Sequence, residues 1–393
     1  TELPVDAYDL DEIVVTASRR ADDSFALPYS VNVQDTRELI EVRQVRTIPD
    51  AMRELAGVMV QKTGHGQGSP FIRGFTGLRT LFLIDGIRLN NSTFREGPNQ
   101  YWNTVDALSV QRLELVKGPS SVLYGSDAVG GTVAAVTRRF SDLEGDSLRG
   151  RVVLRASEAE DSIVARPEVG FSSGRWSMFA GASVKNFGDL EAGGDTGTQP
   201  RTGYDERDAD MKITYDIAPE RQLTAALQHV DQDDAWRVHK TVYAKSWRGT
   251  TTGSEQRRSL DQTRTLGYLQ YRANGLESLA DADMTLSLSW HEQHETRHRI
   301  RADGRADVQG VDVGTLGVWG QLDIPVPYGS WTTGIEVYRD NVDSIRSDYN
   351  ADGSLRGTRI QGPVADDATY TTADVFLQNQ TMFGDHGLLV TGV

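Results

Sequence analysis

"MTLSLSWH" (284–291) alternates without a break: Met284, Leu286, Leu288 and Trp290 take one face of an extended chain, and Thr285, Ser287, Ser289 and His291 take the other. A period of two is what a β-strand imposes on its side chains. "TLGVWGQLDIP" (315–325) repeats the pattern, with Leu316, Val318, Leu322 and Ile324 on its apolar side. Working outward, about eleven strands are expected, at 149–158, 162–171, 176–187, 206–217, 221–232, 260–273, 282–296, 312–324, 331–345, 370–381 and 387–393. Some connections are short ("SSGR", "APER", "PVPYGS", "FGDH"), and others are long and polar (188–205, 233–258, 346–369). Short turns at one rim and long loops at the other describe an outer-membrane β-barrel. A soluble β-sandwich is the alternative these patterns leave open.

Composition agrees without deciding. The 393 residues leave room for two or more domains, at roughly 150 residues each. Mean hydropathy is −0.44, and no run approaches the ~18 apolar residues of a spanning helix. The longest apolar stretches, such as "TLFLI" (80–84), have strand length. Thr1 opens in polar sequence without a signal peptide, so the numbering is expected to start at a mature end. A net charge of −15 argues against a nucleic-acid partner, and the absence of Cys excludes disulfides and thiolate metal sites. The 39 Gly, 13 Tyr and 7 Trp are compatible with a β-barrel.

Residues 28 to 139 have a different grammar, that of a compact mixed α/β domain. "YSVNV" (29–33) reads as a strand. "TIPDAMREL" (47–55) reads as a helix start, with Thr47 as cap, Pro49 in the first turn and Asp50 as capping-box acid. "TLFLIDGIRLNN" (80–91) reads as a hairpin turning at Asp85-Gly86. "VQRLELVKG" (110–118) and "GTVAAVTRR" (131–139) add two strands. Ahead of this domain, "DEIVVTASRR" (11–20) places a short run of strand formers in charged surroundings, with no turn signal to fold it back. An unpaired strand of that kind invites pairing with an exposed edge.

Several of these stretches resemble the TonB-dependent outer-membrane receptors. "DEIVVTA" (11–17) resembles that family's energy-coupling box. "FIRGF" (71–75), "LIDGIRLN" (83–90) and "VQRLELVKGPSSVLYGSDAVGGTVAAVTRR" (110–139) resemble successive segments of its plug domain. The resemblance implies an α+β plug followed by a transmembrane antiparallel β-barrel: an N-terminal segment at 1–24 with the box, a plug at 25–140 and a partial barrel at 149–393. It implies that Asp11, Glu12, Ile13, Val14, Val15, Thr16 and Ala17 bind the periplasmic C-terminal domain of a TonB-type energy transducer by strand addition. The remaining expected partners are outer-membrane lipid, lipopolysaccharide and an extracellular metal chelate. Arg73, Gly74, Asp85, Gly86, Gly118, Gly125, Gly130 and Gly131 are expected to be structural in the plug. Lys117 stands where the family often has Arg, so no plug-to-barrel salt bridge is expected there.

Size adds a further expectation. A plug of ~140 residues has a diameter of roughly 37 Å. Strands spaced ~4.8 Å apart and tilted ~40° give about 24 Å for twelve strands and ~44 Å for twenty-two. Only the larger barrel holds the plug, and an open half-barrel would leave bare edges in lipid. The chain is therefore expected to be a fragment carrying about half of a twenty-two-stranded barrel.

For the ligand site, the plug stretch "NSTFREGPNQYWNT" (91–104) is the candidate, through Arg95, Asn99, Gln100, Tyr101 and Trp102. Arginine and aromatic rings suit a bulky anionic iron chelate through charge and stacking. His291, His294 and His298 are the weaker candidates, as imidazole ligands for haem, and are expected to face water beyond Trp290. His65 reads as a plug loop residue. The acidic loop 189–210 could offer oxygens to calcium, with a solvated loop as the plainer reading. "GSDAVGGT" (125–132) has phosphate-loop glycine spacing but Gly131 in the lysine position, which excludes that reading.

The expected function is energy-coupled uptake, in the outer membrane of a Gram-negative bacterium, of a scarce bulky nutrient. A siderophore or haem iron chelate comes first, and cobalamin or another metal complex second. No enzymatic constellation and no cofactor is expected. Ten residues ahead of the box leave no room for a signalling domain. The alternative of another class is a secreted β-rich binding or adhesion protein without transport.

Overall fold

The computed structural model describes residues 13–14, 19, 22–23, 28–98, 100–140, 146–384 and 387–393. Near the N-terminus, β1 (Ile13–Val14) pairs antiparallel with β2 (Asp22–Asp23), Ile13 opposite Asp23 and Val14 opposite Asp22. The run expected to stay unpaired is thus closed by a ladder two residues long. Residues 15–21 separate its two halves, so no tight-turn signal announces the pairing. Asp11, Glu12, Val15, Thr16 and Ala17 lie outside the described residues.

The plug contains β3 (Ser30–Asp35), α1 (Ile48–Ala51), β4 (Val58–Gly64), β5 (Gln67–Ile72), β6 (Thr80–Ile84), β7 (Ile87–Arg88), β8 (Val110–Lys117), α2 (Ser121–Tyr124) and β9 (Gly131–Thr137). Five strands form one sheet in the order β3-β8-β9-β6-β7, with β6 and β9 parallel. β4 and β5 make a separate hairpin. Phe82, Ile84, Leu89, Leu113, Leu115 and Val133 are buried in the plug's main core; each contributes roughly 1.5–3 kcal/mol on removal from water. The β6–β7 hairpin turns where Asp85-Gly86 signals it, at φ of +50° and +86°, the left-handed pair that a type I′ turn requires. The helix at 47–55 shrinks to one turn, capped as expected by Thr47 accepting from the Asp50 amide. Beyond Ala51 the chain continues as i→i+3 turns, with Leu55 N bonded to Met52 O, into Gly57 at φ +78°.

The second part is a twelve-stranded antiparallel sheet. It comprises β10 (Ser147–Ser157), β11 (Ser162–Ser173), β12 (Trp176–Phe187), β15 (Tyr204–Ala218), β16 (Arg221–Trp236), β17 (Arg257–Leu276), β18 (Ala282–Ile300), β19 (Ala306–Val326), β20 (Gly329–Tyr349), β21 (Leu355–Arg359), β22 (Ala368–Phe383) and β23 (Gly387–Gly392). β13 (Leu190–Ala192) and β14 (Gly197–Gln199) pair within a long loop. Each strand on the main path pairs with the next, and β21 attaches to β20. The alternation is inside out. Leu154 is 75% exposed and Val375 79%, while Arg166 and Arg264 are at 0% and 1%. That distribution fits an apolar solvent outside and the plug inside. No helix among the described residues is long and apolar enough to cross a membrane.

Candidate functional site at the plug–barrel junction

Plug and sheet meet through buried polar contacts. At the hairpin tip, Asp85 accepts from Thr137 N at 2.8 Å, Thr137 Oγ1 at 2.6 Å, Tyr268 Oη at 2.9 Å and Lys212 Nζ at 3.2 Å. Burial alone would raise its carboxyl, but the Lys212 charge and these donors hold it below the usual carboxylate range. A turn aspartate therefore also fastens the plug to three barrel strands, β15 through Lys212, β16 through Gln228 and β17 through Tyr268. Nearby, Asp106 of the plug meets Arg166 Nη1 at 3.0 Å and Lys185 Nζ at 2.8 Å. Lys185 lies among Asp106, Glu206 and Asp208, the one described acidic trio close enough to hold a metal. Its ammonium already supplies the cation.

That trio revises the calcium expectation. Glu206, Asp208 and Asp210 belong to β15 rather than to a loop and are bound to Lys185 or Arg166. Asp189 is occupied by the amides of Thr202 and Gly203 at 2.8 and 3.1 Å.

The candidate ligand loop crosses the plug near the long-loop rim. Trp102 is fully buried and stacked on Phe82, centroids 4.5 Å apart and planes 5° from parallel. Tyr101 is buried as well and stacks on Phe94 at 4.6 Å. Neither ring is free to stack on a ligand; their aromatic surface serves the plug core. Asn99 lies outside the described residues. Arg95 is exposed, and Gln100 is buried at a junction. The Gln100 amide nitrogen donates to the Glu295 carboxylate, and its Oε1 accepts from Arg237 Nη2 at 3.2 Å and Arg95 Nη2 at 3.4 Å.

Arg237, Arg258, Ser259, Leu260 and Arg297 line a recess of about 200 Å³ beside this junction. The expectation missed all three of these arginines. Arg237 and Arg258 lie where a long loop joins its strands, and their inward aim cannot be read from alternation that fades at the rim.

The histidines divide. His294 and His298 face outward, against Asp312 and at 2.9 Å from Asp261 Oδ2. His291 points inward and is 2% exposed, contrary to the expectation that it faces water. Strand alternation sends it to the opposite face, so the three do not converge. His65 is no simple loop residue either: it is buried against Phe187, Tyr204 and Glu160.

Among the expected structural plug residues, Arg73 and Gly74 form a left-handed corner at φ +50° and +88°. Gly131 packs so closely that a Cβ would lie 2.6 Å from Val116 O. Lys117 donates to Ala56 O at 3.1 Å, inside the plug.

The sequence profile described as TonB-dependent Receptor Plug Domain matches residues 23–132. The chain belongs to the TonB-dependent receptors. It is 30% identical over 208 residues to the vitamin B12 transporter BtuB of Vibrio vulnificus, covering 52% of this chain and 30% of that protein. It is 29% identical over 297 residues to the iron-regulated outer membrane virulence protein of Vibrio cholerae, covering 68% of this chain and 43% of that protein. The receptor chain thus spans under half the length of these curated relatives. Among solved structures, the copper transporter OprC superposes with a TM-score of 0.76 at 15% identity, covering 92% of this chain and 53% of that one. The siderophore receptor PiuA from Acinetobacter baumannii gives 0.65 at 18%, covering 93% and 57%. These likenesses carry the fold: a plug with the first part of its barrel.

Proposed function

We propose that the receptor takes up a bulky, scarce nutrient across the outer membrane, driven by a periplasmic energy transducer that grips residues 11–17. The observation that carries this reading is the plug's position. An α+β domain is fastened by buried ion pairs to the polar inner face of a sheet whose outer face is apolar. Such a plug blocks passage until it is moved, and no bond in the cargo need be made or broken. Iron chelates, siderophore or haem, are the first cargo class, in keeping with the iron-regulated relative. The vitamin B12 relative supports cobalamin as the second reading.

The test is uptake of labelled iron chelates, haem and cobalamin by cells with and without the receptor, in transducer-positive and transducer-negative backgrounds. Accumulation of one of them that needs both proteins supports the proposal. Accumulation of none, or accumulation indifferent to the transducer, overturns it. A receptor soluble without detergent would favour the secreted binding protein instead.

A further inference from the structure

We propose that Arg95, Arg237, Arg258 and Arg297 form an oxyanion-binding subsite between plug and barrel wall, taking a carboxylate or phosphate group of an anionic ligand. This names a ligand class for the uptake reading and rests on it for the direction from which the ligand arrives.

The first ground is an uncompensated charge. Both oxygens that accept from Arg237 are neutral amides, Gln67 Oε1 at 2.7 Å and Gln100 Oε1 at 3.2 Å. Arg95 reaches the same Gln100 oxygen at 3.4 Å, so two guanidinium groups share one neutral acceptor. The carboxylates nearby are Glu295 and Glu255. Glu295 is taken by Arg297 and the Gln100 amide; Glu255 lies 2.6 Å from Arg299 and 3.8 Å from Arg258. Two carboxylates thus serve five arginines.

The second ground is space. The recess of about 200 Å³ has Arg237, Arg258 and Arg297 in its lining and Ser259 between them. It suits one oxyanion group rather than a whole chelate, and the planar guanidinium fork matches carboxylate and phosphate geometry. Third, the cluster is costly while empty. Burial, then the charges of Arg297, Arg95 and Arg258, push the Arg237 pKa down to about 10. An anion reverses that repulsion. The rest of the molecule is acidic, with a net charge of −15, so a positive recess stands out as the place where field lines draw an anion in. Because Gln67 and Gln100 both belong to the plug, an anion that draws Arg237 away releases two plug side chains together.

The test is calorimetric titration of the natural receptor in detergent, at fixed ionic strength, with inorganic phosphate, ferric citrate and a neutral ferric tris-hydroxamate. The first two probes are expected to bind, and to bind at least tenfold more weakly to Arg237→Gln and Arg258→Gln. Arg301→Gln, whose guanidinium pairs with Asp307 at 2.7 Å, should bind like the natural protein. The neutral chelate should not distinguish the variants. Phosphate should also raise the thermal midpoint of the natural receptor and leave that of Arg237→Gln unmoved. Absence of any oxyanion binding, or binding indifferent to both substitutions, overturns the subsite. Phosphate binding that ferric citrate fails to displace would assign the recess to free phosphate and overturn its role in ligand recognition. None of these measurements involves transport, so they stand or fall apart from the uptake experiment.

Discussion

Arg19 is locked between plug and wall: its guanidinium pairs with the Glu336 carboxylate of β20, their side chains 7% and 4% exposed. The same group lies over the rings of Tyr124 and Phe376 at 4.2 and 4.4 Å, and Gln321 Nε2 donates to the Arg19 carbonyl at 2.8 Å. Arg19 follows the proposed coupling segment by two residues, so this pair tethers that segment to the barrel. Removing one partner of a buried pair strands the other, at about 3–5 kcal/mol in a well-enclosed site.

Glu336→Gln and Arg19→Ala are each expected to free the N-terminal segment. A spin label at residue 14 should change from a restricted to a mobile spectrum in either variant. The double variant should be no more mobile than the single ones, with a coupling energy of about 2 kcal/mol. Restricted spectra in both single variants would show that the tether lies elsewhere.

Val14→Pro removes a backbone donor and fixes φ, which is hostile to pairing with β2 and with any partner strand. Uptake by the natural receptor should fall to background while surface binding of ligand persists. Normal uptake at normal expression would remove residues 11–17 from the coupling role.

Asp85 is expected to govern how tightly the plug sits. Asparagine tolerates the same left-handed backbone, so Asp85→Asn takes away the charge without straining the turn. Lys212 then faces a neutral amide in a buried site, and a loss of about 3 kcal/mol is expected. Denaturant unfolding should show it, along with greater permeability of cells to large antibiotics. Unchanged stability would mean that Lys212 finds compensation from Thr137 O, 3.1 Å from its Nζ.

Much of this fold could be read in advance because two simple periods carry it. Leu286, Leu288 and Trp290 announce a lipid-facing strand by alternation alone, and Asp85-Gly86 announces a turn by backbone sterics. The strand ends were harder. β19 begins at Ala306 rather than 312, and β20 runs to Tyr349 rather than 345, since strands above the apolar belt keep pairing while both faces are polar. The β4–β5 hairpin escaped notice because "GHGQG" (64–68) tops strands with no alternating face. The candidate site was least legible. Trp102 looked like ligand surface because it lies in a polar loop, but Phe82, twenty positions earlier, claims its face. Arg237 and Gln67 meet across 170 positions, a distance no local pattern spans.

Acid should loosen the clasp between the plug hairpin and the β10–β11 turn. Glu160 in that turn sits 3.1 Å from His65 Nε2, with Arg46 Nη1 against both. Burial on its own raises a carboxyl, but the His65 hydrogen bond and the Arg46 charge outweigh it and hold Glu160 at about 2. Burial also pushes the His65 imidazole below its ordinary value of 6.5, against the pull of the Glu160 bond. Both groups therefore bind protons more readily in the unfolded chain, so stability rises with pH. The His65 contribution is complete above about pH 6.5 and declines below it. The Glu160 contribution is complete above about pH 4.5 and is lost as the pH falls through the folded value near 2, on the order of 1–2 kcal/mol after allowing for solvent screening. Hydrogen exchange across residues 58–72, corrected for intrinsic rates, should show full protection at pH 7.5, less at pH 5.5 and least at pH 3. Glu160→Gln should lower protection at neutral pH and flatten the acid limb, while His65→Gln should flatten the upper limb. Protection that stays constant over this range in the natural receptor would show that the clasp does not hold the hairpin.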